Sequence, residues 1–277
     1  MSEFFKALTS AWLTYAYDMR PVLIGGVFIL LLDLTIFKRS LEDVIDRCTP
    51  SSLRMNVMVF AFNWIVMILP LTLIASFIHS SVFRYAVAPR LIESLPNWAI
   101  ACLSVFMADL IAYFRHRFEH SPLLWRFHEM HHSDEQLNWF SLNRFHPVNR
   151  VTSAVIDMMM LALIGFPMWS IAVGYAVFHY YSYLVHSNLP WTFGIFGKLI
   201  VSPAMHRWHH AQDEEAFGKN FGGLFSIFDV VFGTYYCPGP CSSPTGVKGA
   251  DNSSFLGSML RPFMPTRASV TSSSVRD

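Results

Sequence analysis

The chain has 277 residues, of which 53% are hydrophobic and only 14% are charged, and its net charge is +1. A soluble domain carries about 25% charged residues, so the composition points to a membrane protein. The near-neutral balance supplies no basic field for nucleic acid. Cys48, Cys102, Cys237 and Cys241 are too few and too scattered for a disulfide scaffold, and the pair in CPGPC reads as loop cysteines.

Residues 1–20 are aromatic and modestly amphipathic and are expected to form an interfacial helix. Lys6 and the lack of a small-residue cleavage site argue against a removed signal peptide. Pro21–Phe37, interrupted only by Asp33, is just long enough to span a bilayer. A charged loop, 38–54, ends in turn chemistry at Thr49–Ser52. The second apolar run is Asn56–Ile78, with a kink expected at Pro70. His79 at its end reads as a hydrogen-bonded helix-end residue. After a polar connector, 79–96, comes the third run, Trp98–Phe114, which carries Asp109.

Lys38, Arg39, Arg47 and Arg54 outnumber Arg84 and Arg90, so the first loop is placed in the cytoplasm and the connector outside. The third span then delivers residues 115–150, polar and rich in histidine, to the cytoplasmic side. Val151–Val185 is apolar and broken at Gly165-Phe166-Pro167, which suits a helical hairpin that dips in and returns His186 to that same side. Residues 187–237 read as a cap. From Pro238 the chain is rich in Ser, Pro and Gly, and 265–277 is expected to be disordered. The fold class is therefore all-α: an integral membrane helical bundle of four to five passages with a cytosolic helical cap. It divides into an N-terminal membrane region (1–114), a catalytic region (105–236, including the hairpin 151–185) and a C-terminal tail (238–277).

Of twelve histidines, eight fall in HRFEHSPLLWRFHEMHH and HRWHH. The spacings i,i+3 and i,i+4 put His116 with His120, then His128, His131 and His132, then His206, His209 and His210, each on one helical face. Imidazole is the commonest protein metal ligand, and independent surface histidines would not sort onto faces in this way. Eight or more imidazoles imply two metals.

HEMHH also contains H-E-x-x-H, which alone would suggest a zinc protease with Glu129 as general base. That reading leaves His116, His120, His206, His209 and His210 without work. Paired haems would want histidines on facing helices at membrane depth, whereas these clusters lie beyond the spans. A transporter or sensor that binds metal reversibly is a third, non-enzymatic reading.

Asp109 lies seven residues before His116 on the same helical face and is costly in a membrane unless paired. It is expected to accept a hydrogen bond from a ligand imidazole, and Asp229 and Asn220 are similar candidates. Arg115, Arg117 and Arg126 read as interfacial snorkelling charges. Trp125, Phe127, Trp139 and Trp208 read as packing for the cap.

In order and in flanks, D-x6-HRFEH-x7-HEMHHSDEQLNWFSLNRFHP, HSNLP, SPAMHRWHH and KNFGGLFSIFDVVFGTYY resemble the fatty acid hydroxylase/sterol desaturase superfamily, over roughly residues 105–236. The resemblance implies a di-iron centre with His116, His120, His128, His131, His132, His206, His209 and His210 as ligands. By its place near the family's third histidine group, His186 joins them. His179, seven residues earlier on the same face, is a further candidate, and a zinc pair would be a substituted form. His146, in the shared RFHP, is implied as a positioning residue. The family hydroxylates or desaturates lipids, drawing electrons from a cytochrome b5-like or ferredoxin partner. No GxGxxG follows a strand in this chain to supply them internally.

Overall fold

The computed structural model describes residues 50–250 and 254–264, together with Val27, Leu31, Leu34 and Thr35. The expected interfacial helix, the rest of the first apolar run and the tail 265–277 lie outside the described residues.

α1 (Pro50–Phe62) begins inside the segment expected to be a turn, because Pro50 takes the first helical position, where its missing N–H costs nothing. A π turn, Asn63–Met67, joins it to α2 (Ile68–Val82) in one continuous helix, Pro50–Tyr85. The Pro70 ring crowds the carbonyl four residues back, on Val66. That carbonyl lies in the π turn, whose wider winding relieves the crowding, so the irregularity expected at Pro70 falls one turn earlier.

The connector holds the short α3 (Pro89–Glu93). α4 (Asn97–Glu119) is 23 residues long and outruns the apolar stretch Trp98–Phe114, so His116 sits on its last turn. α5 (Pro122–His132) follows, then the hairpin of α6 (Pro147–Ile164) and α7 (Met168–Val185). α8 (Pro203–His209), α9 (Ile227–Val231) and α10 (Phe255–Leu260) complete the cap and tail. Among the described residues there is no β-strand, only an isolated bridge between Ala211 and Thr245. Three helices, Pro50–Tyr85, Asn97–Glu119 and Pro147–Ile164, are long and apolar enough to cross a membrane.

α4 is the central helix, packed along α7 and α6, with α2 against α6. Small residues let α4 and α7 approach closely: Ser104 Oγ donates to Ser170 O at 2.9 Å, and a Cβ on Gly174 would lie 3.4 Å from Ser104. The hairpin turns at Gly165, whose φ of +112° is open to glycine and whose Cβ would fall 2.8 Å from the Pro89 backbone. Val87 and Ala88 donate to Leu163 O and Ile164 O, and His79 Nε2 donates to Phe166 O at 3.2 Å. The hairpin tip therefore packs on the connector between α2 and α4. Ile92, Ile100, Ile111, Leu161, Phe166 and Ile171 belong to a core that runs from this end along α4. Leu73, Phe77 and Trp98 face outward, as lipid contact requires.

The opposite end gathers the end of α4, the start of α6 and the end of α7, and the cap lies there. It is tied to α1 by a buried network. Asp134 accepts from Ser52 Oγ at 2.6 Å, Asn56 Nδ2 at 2.9 Å and Ser141 Oγ at 2.6 Å, and Arg144 Nε donates to Asn56 Oδ1 at 2.6 Å. Arg144 holds the Asp134 carboxyl below the ordinary range despite its burial.

Candidate metal centre

Short helical pieces aim the histidines. His116 and His120 lie one turn apart at the end of α4, and Ser121-Pro122 restarts the chain as α5, which presents His128, His131 and His132. His186 ends α7, where its Nδ1 donates to Ser182 O at 2.7 Å. α8 is capped by Ser202 Oγ, which accepts from Met205 N at 3.1 Å, and carries His206, His209 and then His210.

These nine side chains form two adjacent groups, with the ligand atoms of each within 4.8 Å of one another: His116, His120, His128, His132 and His209; and His131, His186, His206 and His210. The groups touch through His132 and His210, whose rings stack at 4.3 Å. In the first group, His116 Nε2 lies 3.1 Å from His128 Nε2 and 3.0 Å from His209 Nε2, and His128 Nε2 lies 3.2 Å from His132 Nε2. In the second, His186 Nε2 lies 3.3 Å from His131 Nε2 and 3.0 Å from His206 Nε2.

The far sides of the rings decide what these close approaches mean. His116 Nδ1 meets Phe221 O at 3.0 Å and His209 Nδ1 meets Lys219 O at 2.8 Å. A carbonyl only accepts, so both rings carry hydrogen on Nδ1, and their Nε2 lone pairs face each other. Lone pairs held at that distance need a cation between them. Two imidazoles on one ion, each about 2.1 Å from it, have nitrogens roughly 3 Å apart. His120 Nε2 and His210 Nε2 are buried with no hydrogen-bond partner, which a metal would also satisfy. Burial, reinforced by neighbouring rings, holds His120, His128, His131, His132, His206, His209 and His210 well below the ordinary imidazole value, and His186 at about 4. Neutral rings are what metal ligation requires. The residues fit a pair of metal ions.

The expected positioning residues work at one remove. Asp109 does not accept from an imidazole; it takes the backbone N–H groups of Gly223 at 3.2 Å, Leu224 at 3.1 Å and Phe225 at 2.6 Å. Asp229 accepts from Phe221 N at 2.7 Å, Gly222 N at 2.9 Å and Thr234 Oγ1 at 2.7 Å. Asn220, at φ 62°, donates to Met205 O at 2.9 Å and Tyr236 O at 2.6 Å. Together they fix the loop 219–225, whose carbonyls orient His116 and His209. At Gly222 a Cβ would fall 2.8 Å from the backbone oxygen of Phe225, so the loop is closed to a larger residue there.

His146 caps α6, accepting from Val148 N at 3.1 Å, and its Nε2 donates to Met259 O at 3.0 Å beside α10. His179 lies outside both groups, with its ring 5.0 Å from that of Tyr183. Glu129 Oε1 pairs with Arg261 at 3.0 Å on the far face of α5, so the H-E-x-x-H spacing does not aim a general base at the histidines. Arg115 is no snorkelling charge, since its Nε donates to Asp157 at 2.7 Å and its Nη1 to Glu119 at 2.9 Å inside the bundle. Trp125 does more than pack the cap, lying 5.2 Å from the His120 ring and 5.3 Å from His132. Glu119 joins the site without a place in the histidine spacing. It is buried, with Oε2 3.5 Å from His128 Nδ1, and the signal was an acid inside the box HRFEH itself.

Residues 101–234, which include all nine of these histidines, match the model of the family described as fatty acid hydroxylase. That segment is similar to a fatty acid hydroxylase domain. Over 172 residues the chain is 31% identical to an ornithine lipid hydroxylase of Rhizobium tropici, covering 60% of this chain and 52% of that protein. It is 28% identical over 144 residues to an alkylglycerol monooxygenase of Danio rerio, covering 52% and 31% respectively. A Delta(7)-sterol 5(6)-desaturase of Gibberella zeae is 28% identical over 139 residues, covering 49% and 37%. The chain thus spans about half the length, or less, of these relatives. No solved structure matches it. The matched segment begins within α4 and ends just after α9, so it holds both histidine groups and the loop that orients them.

Proposed function

We propose that the chain is a membrane-bound, O2-dependent di-iron oxidoreductase that hydroxylates or desaturates a lipid. The observation that carries this reading is the pair of adjacent imidazole groups with Nε2 atoms converging at 3.0–3.3 Å. His116, His120, His128, His132 and His209 would hold one ion, and His131, His186, His206 and His210 the other. Imidazole suits iron, zinc, copper and nickel alike. The match to the fatty acid hydroxylase model, and relatives named for hydroxylation, monooxygenation and desaturation, favour iron. Bound iron would supply the O2 and C–H chemistry that side chains lack.

The protein's own part is positioning and shelter. Backbone carbonyls fix the tautomers of His116, His186 and His209, and burial keeps the rings neutral. The groups sit at one end of an apolar bundle, where a hydrocarbon tail can arrive from the bilayer without crossing water. The named substrates of the relatives are ornithine lipid, alkylglycerol and a sterol, which supports a lipid here. Pro50–Tyr85 starts at the histidine end, where Ser52 meets Asp134, and is preceded by Lys38, Arg39 and Arg47. The positive-inside rule therefore supports a cytoplasmic cap. Electrons would come from a separate cytochrome b5-like or ferredoxin donor.

Metal analysis and lipid profiling test the reading together. The purified chain is expected to hold two irons, and aerobic cells expressing it to gain a lipid altered by one oxygen or two hydrogens. The lipid product should vanish in His206→Ala. A single zinc, or no lipid change with oxygen and reductant supplied, would overturn it.

A further inference from the structure

Two arginines lie inside the bundle near the histidine end, and their surroundings differ. Arg115 on α4 is neutralised twice over, by Asp157 at 2.7 Å and Glu119 at 2.9 Å. Arg150, on the first turn of α6, has no carboxylate partner among the described residues, and its Nε is buried with no hydrogen-bond acceptor. The one other charge within electrostatic range of it among the described residues is a second cation, Arg115. The Arg150 guanidinium lies over the Phe145 ring at 5.6 Å, and the side chain is within electrostatic range of His179 and Tyr183 on α7. Tyr183 in turn contacts His179 at 5.0 Å, while the adjacent Tyr180 is 40% exposed.

A cation within a membrane bundle is costly unless an anion or a set of acceptors meets it. Snorkelling would turn the guanidinium outward, but here Nε is buried and the group lies against the ring of Phe145. Phe145 also stacks on His131, with centroids 4.2 Å apart and planes within 9°. One aromatic ring thus separates Arg150 from the second histidine group. A chain molecule whose charged end met Arg150 would have its nearer carbons beside the histidines.

We propose that Arg150, with His179 and Tyr183, binds an anionic group of the lipid substrate, a carboxylate or a phosphate, next to the histidine centre. The identity of that lipid as substrate rests on the oxygenase reading; the anion site does not. A guanidinium donates two parallel hydrogen bonds to either kind of oxyanion, and in a site shielded from water such pairs are strong. His179, which stands outside both metal groups, finds its place here as a neutral neighbour that can donate to the same oxyanion.

The test is equilibrium binding of dodecanoate, dodecyl phosphate and dodecanol to the full chain in neutral nanodiscs. No metal loading or turnover is needed, so failure here leaves the oxygenase reading standing. Equally, an absence of iron or of lipid oxidation would not alter this result. Wild type is expected to bind at least one of the anionic amphiphiles about tenfold tighter than dodecanol. Whichever anion is preferred identifies the group as carboxylate or phosphate. Arg150→Gln should erase the preference and Arg150→Lys should keep part of it. Equal binding of all three by wild type, or a preference that survives Arg150→Gln, would overturn the proposal. If Arg150→Gln does not fold, the wild-type comparison still decides.

Discussion

His116 and His209 hold their Nε2 atoms 3.0 Å apart while each ring is fixed from behind by a carbonyl of one loop, Phe221 O and Lys219 O. They come from helices far apart in sequence, and the loop that orients both is itself held by Asp109 and Asp229. His209→Ala should therefore strip one group and spare the other. Metal titration of the variant is expected to show one site weakened by more than about tenfold and one site close to wild type. Equal loss at both sites would mean that the groups do not bind separately.

Acid should act on the same rings. Burial holds His186 at about 4, whereas an unfolded imidazole titrates near 6.5. Between those values the unfolded chain binds more protons, so stability rises with pH through the window and is fully present above it. One ring so shifted contributes roughly 3 kcal/mol, and the other buried histidines act in the same direction. The metal-free protein should lose melting temperature as pH falls from 7 toward 4, and the loaded protein should release metal over the same range. A melting temperature constant across that range would show that the rings are not held neutral by burial.

Much of this arrangement is legible in the sequence because helical spacing acts locally. The boxes fixed which faces carry histidine, and Gly165-Phe166-Pro167 marked the hairpin that returns His186 to within 3.3 Å of His131. Partners distant in sequence are less legible. The cost of a bare carboxylate calls for a partner to Asp109, but periodicity shows only its own helix, and its partners are amides of a loop more than a hundred residues away instead of an imidazole. In sequence Arg115 is an interfacial charge just past one apolar run and Asp157 an acid inside the next, and only the packing of α4 on α6 makes them a pair. His179 has the right period and the wrong depth, two turns short of the layer where His186 meets the cluster.

The Arg115 network should be structural as well as orienting. One guanidinium spans Asp157 and Glu119, and Glu119 backs His128. Arg115→Met leaves two buried carboxylates without a cation, a change that costs roughly 3–5 kcal/mol. Arg115→Lys keeps the charge, but an ammonium cannot reproduce the two-armed contact, and should fall between the two. Thermal unfolding in detergent ranks the three; an Arg115→Met protein as stable as wild type would show that the carboxylates are neutralised in some other way.

Two glutamates sit inside the histidine boxes, and they should behave oppositely. Glu129 faces away from the centre and pairs with Arg261, whose side chain is 42% exposed, a kind of contact worth under about 1 kcal/mol. Glu119 is buried behind His128, with a carboxylate oxygen 3.5 Å from the Nδ1 whose hydrogen it can accept. Carboxylates in that position fix the ring and raise its basicity toward a metal, and their loss lowers affinity by about tenfold or more. Glu129→Gln is expected to leave metal content and lipid product unchanged, and Glu119→Gln to lower both. Metal titration and product analysis of the two variants side by side provide the measurement. The reverse pattern, with Glu129 essential and Glu119 dispensable, would restore the hydrolytic reading of H-E-x-x-H and remove the oxygenase one.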